Sequence, residues 1–242
     1  MKSIAIIPAR YGSSRFPGKP LALINGRPMV QIVYEKVKSS KLLDRVIIAT
    51  DDIRIFNTAI SFGGDVIMTS KKHSSGTDRI VEVLQKLDCI FDIVLNIQGD
   101  EPMICSEMIE RLIEGLNDPR IMVSTLKKEI LEKELIINPD IAKVITDFNN
   151  DAIYFSRLPI PYDRDELNQI KYYKHIGMYG YRSEFFNFYK TFPLANLEEA
   201  EQLEQLRILY YGYKIKVLEV YSESIGVDRP EHLSLVEKYL RN

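Results

Sequence analysis

The sequence predicts an α/β fold with a doubly wound, mostly parallel sheet and one β-rich arm. In the first half, short β-branched runs alternate with segments whose apolar residues recur every three or four positions. After Asn138-Pro139 the pattern changes to closely spaced strand-like runs and turn residues, and it returns to α/β near the C-terminus. A chain of 242 residues is long enough to bury one large core.

The first half supplies four predicted strands, at residues 4–7, 45–49, 65–68 and 93–97. Two predicted helices carry a single apolar face, formed by Val30, Val33, Tyr34 and Val37 in one and by Ile109, Leu112, Ile113 and Leu116 in the other. Parallel strands covered by such helices bind their ligands at the carboxyl ends of the strands. The loops that follow the strands are therefore the candidate sites.

The second half begins with the β-rich arm, which is predicted at about residues 151–181 within a single domain spanning 1–242. Predicted strands lie at 141–146, 152–156, 175–181 and 214–220, and predicted helices at 198–211 and 230–240. The arm contains more aliphatic and aromatic residues than a solvated hairpin needs. We therefore expect it to pack against a second copy of the protein as a homodimer.

Composition excludes some classes of function. The formal net charge of −2 gives no general attraction to nucleic acid or to an anionic membrane, so an anionic ligand must be met by a local basic site. The N-terminus has no signal-peptide pattern and no apolar run is long enough to span a bilayer, which predicts a cytoplasmic protein. Cys89 and Cys105 lack metal-site spacing and are expected to be reduced.

The loop after the first strand has the composition of a polyphosphate site. Between Pro8 and Leu21 it contains Arg10, Arg15 and Lys19 together with two glycines and two serines. Glycines let backbone N–H groups approach phosphate oxygens, and the cations supply charge. Pro20 follows Lys19 where a Walker A loop requires Ser or Thr, so a P-loop ATPase is disfavoured. The alternative is a solvated basic turn.

Two aspartates are candidate ligands for Mg²⁺. Asp100 follows the fourth strand, at the edge of the sheet where ligands bind. Mg²⁺ is usually held by one or two carboxylates together with oxygens of the substrate. Asp228, in the Gly226-Val227-Asp228 turn, is a second candidate. By its position alone it is equally a candidate N-cap of the last helix.

These motifs together resemble the 3-deoxy-manno-octulosonate cytidylyltransferase family, also called CMP-Kdo synthetases. The resemblance runs nearly end to end and is carried by the first loop and by segments 73–79 (HSSGTDR), 98–102 (QGDEP), 154–157 (YFSR), 175–181 (HIGMYGY), 203–207 (LEQLR) and 226–228 (GVD). It implies a Rossmann-like nucleotidyltransferase fold, a homodimer, and transfer of CMP from CTP to the acidic eight-carbon sugar Kdo with Mg²⁺ as cofactor. The product would serve lipopolysaccharide or capsule synthesis.

The resemblance also implies a role for individual residues. Lys19, Asp100 and Asp228 would be catalytic, with Asp100 and Asp228 on the metal. The nucleotide would be bound by Ala9, Arg10, Arg15, Lys19, Ser75, Gly76 and Thr77. The sugar would be bound by Gln98, Arg157, His175, Tyr179, Glu204 and Gln205, with Arg157 paired to its carboxylate.

Structural roles remain open for several of these residues. Ser75 or Thr77 can cap a helix, Arg157 can cap a turn, and His175 can be a structural hydrogen-bond donor. Tyr179 can belong to the core, and Glu204 and Gln205 can form the solvent face of a helix. Alternative substrates are 8-amino-Kdo or another 2-keto-3-deoxy acid such as a sialic acid, and Arg229 stands where relatives commonly carry Thr. A more distant alternative is a nucleotide-binding protein without turnover.

Overall fold

The computed structural model describes residues 1–12, 16–73, 75–165 and 170–240. Contacts divide the chain into two compact units: Met1–Glu110 with Ser222–Asn242, and Arg111–Tyr221. The prediction of a single domain over 1–242 is not decided by this division and stays a prediction. No described helix is long and apolar enough to cross a membrane.

The first unit is built on a parallel sheet. Its strands are β1 (Ser3–Ala9), β2 (Leu23–Ile24), β3 (Arg27–Pro28), β4 (Arg45–Thr50), β5 (Val66–Met68) and β6 (Ile93–Asn96). Its helices are α1 (Met29–Lys38), α2 (Ile53–Ser61), α3 (Gly76–Lys86) and the start of α4 (Ser106–Glu114), with a 3-10 turn at Lys19–Leu21. The parallel order is β6-β1-β4-β5, whereas β2 and β3 form a separate hairpin. The carboxyl ends of β1, β4 and β6 therefore lie at one edge.

The second unit is a mixed sheet with short helices. Its strands are β7 (Val123–Glu129), β8 (Lys143–Thr146), β9 (Ala152–Ser156), β10 (Tyr173–Arg182) and β11 (Ile215–Glu219), in the order β11-β7-β10-β8-β9. Only the pairing of β7 with β11 is parallel. Its helices are α5 (Lys133–Ile137), α6 (Phe185–Tyr189), α7 (Asn196–Glu201) and α8 (Gln205–Tyr210), after which α9 (Glu231–Leu240) returns the chain to the first unit.

The predicted α/β class with a mostly parallel central sheet is confirmed. Every strand predicted from the sequence overlaps one in the structure, and the helix predicted at 230–240 is α9. The predicted helix at 198–211 is wrong as a single element, because it is interrupted between α7 and α8. Gln202 adopts a left-handed conformation (φ 53°) at that break. The sequence analysis did not identify β7, whose seven residues include two polar and three charged side chains.

The segment predicted as a β-rich arm, 151–181, contains β9 and β10. β9 pairs with β8 as a hairpin, whereas β10 pairs antiparallel with β7 along its length. Within this segment Ile153, Leu158 and Tyr162 are exposed. The dimer contact expected there stays a prediction.

Candidate active site

The first loop of the candidate site is closed by its own backbone. Gly18 N–H donates to the carbonyl of Tyr11 (2.8 Å), and Gly18 adopts a φ of 73°. A Cβ at this position would lie 2.9 Å from the Tyr11 ring. Glycine is therefore favoured both by the positive φ and by the lack of space for a side chain. Arg54 stacks on the same Tyr11 ring, with its guanidinium carbon 3.3 Å from the ring centre. This closure positions Lys19, the first residue of the 3-10 turn.

Asp100 lies in the turn that follows β6, as the sequence predicts. Gly99 precedes it, and a Cβ there would lie 2.9 Å from the carbonyl oxygen of Pro8 in β1. The absence of a side chain at Gly99 lets the two loops approach closely. Asp100 is thereby brought to the Lys19 ammonium, which donates to Asp100 Oδ2.

Asp228 is brought to the same ammonium by a well-anchored turn. Val227 N–H donates to the carbonyl of Asp100 (2.8 Å), and the Val227 side chain is buried in a cluster with Met29 and Val236. Lys19 Nζ lies 3.3 Å from Asp228 Oδ1. By sequence, Asp228 was equally a candidate metal ligand and a candidate N-cap of the last helix. In the structure its carboxylate lies at the same ammonium as that of Asp100.

This arrangement of two carboxylates about one cation fits a hard divalent metal ion. Both acids present oxygen atoms to the same point, and the Asp228 side chain is 41% exposed, so substrate oxygens and water can complete a coordination shell. In the described part of the chain no group of three or more His, Cys, Asp or Glu side chains is placed to hold a metal. Two carboxylates with the remaining positions left to substrate is the usual pattern for Mg²⁺ in phosphoryl transfer.

The loop expected to contact the base begins a helix beside the same edge of the sheet. Ser75 Oγ accepts from Asp78 N–H (3.1 Å), so Ser75 caps α3. A Cβ at Gly76 would lie 3.6 Å from Pro8 at the end of β1 and 3.9 Å from the Asn96 side chain at the end of β6. Thr77 is buried. The capping role that the sequence allowed is thus confirmed for Ser75. The backbone of the turn at Gly76 lies close to the ends of β1 and β6.

The remaining residues predicted in the first unit are placed as follows. Ala9 ends β1 and its side chain is buried, so any contact with a nucleotide must come from its backbone. Arg10 is exposed immediately after β1. Gln98 Nε2 donates to Asn96 Oδ1 (3.2 Å). Arg15 lies outside the described residues.

Arg157 has the capping geometry that the sequence left open. Its Nε donates to the carbonyl of Glu201 (2.8 Å), and its two terminal nitrogens donate to the carbonyls of Pro139 (2.9 Å) and Gln202 (3.3 Å). The guanidinium therefore satisfies carbonyl groups at the C-terminal end of α7, where the helix is interrupted. The carboxylate-binding role suggested by the resemblance stays a prediction beside this structural one.

His175, Tyr179 and Gln205 form one cluster in the second unit. His175 Nε2 lies 2.9 Å from Thr125 Oγ1, and His175 Nδ1 lies 3.4 Å from Gln205 Nε2. The rings of Phe155 and Tyr179 lie 4.9 Å and 5.5 Å from the imidazole. Burial among these rings lowers the pKa of His175 to about 3, so the ring is neutral. Burial also raises the pKa of Tyr179.

Glu204 and Gln205 are not the solvent face of a helix. The helix is interrupted just before them, and Gln205, at the start of α8, is only 4% exposed. Glu204 accepts a hydrogen bond from the hydroxyl of Tyr189. Tyr179, 9% exposed, belongs to the core as the sequence allowed. The side chains of Glu204 and Gln205 are therefore held in place by their neighbours, Glu204 by the Tyr189 hydroxyl and Gln205 by burial.

The sequence analysis missed Thr125 and Lys143. Thr125 supports His175 from β7, a strand that the sequence pattern did not reveal. Lys143 is fully buried, and its ammonium donates to the carbonyls of Asn138, Ile141 and Arg157. Desolvation lowers the pKa of Lys143. A lone lysine in an apolar strand gives no local signal for such a role.

Comparison with known proteins shows the family to which this chain belongs. Residues 4–215 match the profile of a family described as cytidylyltransferase. The 3-deoxy-manno-octulosonate cytidylyltransferase of Fusobacterium nucleatum is 51% identical, with 100% of this chain and 98% of the relative covered. That of Thermodesulfovibrio yellowstonii is 49% identical, with 99% and 98% covered.

Solved structures give the same result. A CMP:2-keto-3-deoxy-manno-octonic acid synthetase, determined in complex with CTP, superposes with a TM-score of 0.93 at 43% identity, covering 100% of this chain and 99% of that one. A cytidylyltransferase from Leptospira borgpetersenii superposes with a TM-score of 0.65 at 16% identity, covering 100% and 87%, which supports the fold alone.

Proposed function

This chain belongs to the 3-deoxy-manno-octulosonate cytidylyltransferase family, and on that basis we propose that it transfers CMP from CTP to the anomeric hydroxyl of Kdo. Pyrophosphate is the second product, and CMP-Kdo serves lipopolysaccharide or capsule synthesis. The observation that carries the proposal is the convergence of Asp100 and Asp228 on the Lys19 ammonium, at the end of a closed loop after β1.

The first unit supplies the groups for the triphosphate. Lys19 is held by the loop and can donate to phosphate oxygens where negative charge accumulates. Arg10 is exposed immediately after β1 and can pair with a terminal phosphate. The small-residue turn at Ser75, Gly76 and Thr77 offers backbone groups to the edge of the cytosine.

We propose Mg²⁺ as the cofactor, held by Asp100 and Asp228. When bound, the ion supplies positive charge to the triphosphate and lowers the pKa of a nearby hydroxyl. The two carboxylates position the ion and need no proton of their own. Lys19, which pairs with both acids in the structure, then donates to the phosphate oxygens.

The reaction we propose is a direct in-line displacement. The anomeric oxygen of the sugar forms a bond to the α-phosphorus, and the bond from that phosphorus to the bridging oxygen of the β-phosphate breaks. The hydroxyl proton leaves to solvent and the electron pair leaves with pyrophosphate. No covalent intermediate with the enzyme is required. Lys19 and Arg10 stabilise the charge on the leaving group.

For the sugar we propose Gln98, Arg157, His175, Tyr179, Glu204 and Gln205, as the family resemblance implies. The carboxylate of Glu204 and the amide of Gln205 are suited to sugar hydroxyls, since both are rigidly placed. Arg157 would pair with the sugar carboxylate through N–H groups beyond those that hold the end of α7. Both ring nitrogens of His175 already have neighbours within the unit, which favours a supporting role for that residue.

The decisive experiment measures pyrophosphate release by the purified protein with CTP, Mg²⁺ and Kdo. We expect release that requires all three, and formation of CMP-Kdo in equal amount. Binding of CTP without any release would instead favour the nucleotide-binding alternative. Replacing Kdo by 8-amino-Kdo or a sialic acid in the same assay ranks the sugars by kcat/KM. A higher value for one of these would redefine the substrate.

Two further parts of the proposal concern assembly and location. We propose a homodimer whose contact involves the segment 151–181, where Ile153, Leu158 and Tyr162 are exposed. We also propose that the protein acts in the cytoplasm, because its nucleotide substrate is present there.

A further inference from the structure

The hydrogen bonds around Thr125 fix the position of one proton. Thr125 is fully buried in β7, and its Oγ1 lies 2.7 Å from the carbonyl oxygen of Met178 and 3.3 Å from that of Ile176. A register shift in β10 between Ile176 and Tyr179 brings both carbonyls to this hydroxyl. A hydroxyl has one proton, and two oxygens 2.7 Å apart require a proton between them. Thr125 therefore donates to Met178.

His175 must then donate to Thr125. With its proton committed to Met178, Thr125 Oγ1 is an acceptor for His175 Nε2, 2.9 Å away. The neutral imidazole carries one proton, so that proton is on Nε2 and Nδ1 is left as an acceptor. The rings of Phe155 and Tyr179 hold the imidazole in this orientation from two sides.

The tautomer of His175 in turn decides which way the amide of Gln205 faces. An unprotonated Nδ1 attracts an N–H donor and repels a carbonyl oxygen, so the NH₂ group of Gln205 faces His175, 3.4 Å away. The Gln205 side chain is almost fully buried at the start of α8. Its carbonyl oxygen is consequently turned away from His175.

We propose that Thr125 is a positioning residue for the acid sugar: through His175 it orients the Gln205 amide, so that Gln205 offers its carbonyl oxygen to a sugar hydroxyl. This inference rests on the proposed function, which assigns Gln205 to the sugar. Thr125 itself touches neither substrate. Because an amide reversed by 180° would present donors in place of an acceptor, the orientation determines which hydroxyl arrangement is recognised.

The tautomer can be measured without any substrate. The chain has three histidines, so ¹⁵N-histidine labelling gives three imidazole pairs, and His175→Gln identifies the pair of interest. We expect His175 in the wild-type protein to be neutral with its proton on Nε2, and in Thr125→Val to lose that fixed state. A wild-type His175 protonated on Nδ1, or on both nitrogens near neutral pH, would overturn the proposal.

Steady-state kinetics test the consequence for the sugar. Thr125→Val keeps the shape of the side chain and removes the hydroxyl, so we expect the KM for Kdo to rise about tenfold, the loss of one oriented hydrogen bond, with the KM for CTP unchanged. Thr125→Ser retains the hydroxyl and should restore the wild-type value. Ser124→Ala is the matched control, because it removes a buried hydroxyl from the next residue of β7, which bonds Leu112 instead.

The outcomes separate this inference from the proposed function. If wild-type protein fails to release pyrophosphate with CTP and Kdo, the proposed function fails, and the tautomer measurement still decides the hydrogen-bond chain. If the wild type is active and Ser124→Ala raises the KM for Kdo as much as Thr125→Val does, the effect is general destabilisation of β7. The positioning role of Thr125 would then be wrong.

Discussion

At the scale of single residues, the site depends on charges that compensate one another. Asp100 and Asp228 come from loops far apart in sequence, and two carboxylates at such short range repel each other unless a cation lies between them. The Lys19 ammonium occupies that position, with its side chain only 14% exposed. The Lys19 ammonium is also suited to the triphosphate. We therefore propose that Lys19 pairs with the two carboxylates in the free protein and with phosphate oxygens when CTP is bound.

Asp100→Asn tests the carboxylate closest to Lys19. We expect nucleotidyl transfer to fall by about a hundredfold or more, because a neutral amide binds Mg²⁺ weakly and positions it poorly. The unfolding midpoint should stay near that of the wild type, since Asp100 lies in a loop. Asp118→Asn is the matched control, as it removes a carboxylate of the second unit that is paired with Arg120. Equal turnover in both variants would refute the role of Asp100.

His175 predicts how stability depends on pH. Its folded-state pKa of about 3 lies below the ordinary value of 6.5, so the unfolded chain binds the proton more readily. The contribution of neutral His175 to the free energy of unfolding is therefore fully present above pH 6.5. It is lost as the pH falls towards 3, by up to about 1.4 kcal/mol per pH unit.

Urea unfolding of the wild type and of His175→Gln, at about pH 7.5 and about pH 5.5, measures this dependence. The wild type should lose more free energy of unfolding over that interval than the variant does. Identical losses in the two proteins would show that His175 is not the group responsible.

At the scale of elements, the interruption between α7 and α8 organises the second unit. Gln202 in its left-handed conformation ends α7, and the carbonyls of Glu201 and Gln202 turn towards the Arg157 guanidinium at the end of β9. The Glu201 carboxylate accepts from Ser156 Oγ and from Arg157 N–H in return. These hydrogen bonds connect the end of β9 to the C-terminal end of α7. The next helix, α8, begins at Gln205.

Arg157→Lys tests this joint. One ammonium cannot reach three carbonyls lying in different directions, so we expect a loss of about 1–3 kcal/mol in the free energy of unfolding. If Arg157 also binds the sugar carboxylate, the KM for Kdo rises while that for CTP does not. Arg182→Lys is the matched control, because Arg182 also donates to two carbonyls, those of Ile121 and Leu116. A KM for CTP raised alone would place Arg157 in the nucleotide site.

At the scale of the whole molecule, exposed apolar side chains bear on the proposed assembly. The side chain of Ile153 is 56% exposed in β9, inside the segment we propose as the dimer contact. Ile60 in α2 is also 56% exposed and lies outside that segment. The two isoleucines therefore form a matched pair for charge substitution.

Light scattering at working concentration should give the mass of a dimer for the wild type and for Ile60→Glu. Ile153→Glu should shift the population towards monomer, because a charge buried in an apolar contact costs several kcal/mol. A wild-type protein that is monomeric and fully active would remove the dimer from the proposal. A shift caused equally by Ile60→Glu would move the contact away from the segment 151–181.

The sequence by itself determined the α/β class, the positions of the predicted strands, and the loops after β1 and β6 as the candidate site. Each of these is a local property: periodicity sets the elements, and glycine, lysine and aspartate at strand ends predict phosphate and metal chemistry. The motif resemblance identified the family for the same reason, since matching residues recur in one order along the chain.

Only the tertiary structure decided the roles that depend on neighbours distant in sequence. It placed Asp228 opposite Lys19, committed three N–H groups of Arg157 to carbonyls, and paired His175 with Thr125 across 50 residues. It also interrupted the helix predicted over 198–211, because backbone carbonyls there are satisfied by a side chain from another element. Helical periodicity continues through that break, so the pattern of apolar residues could not reveal which backbone groups would find a partner elsewhere.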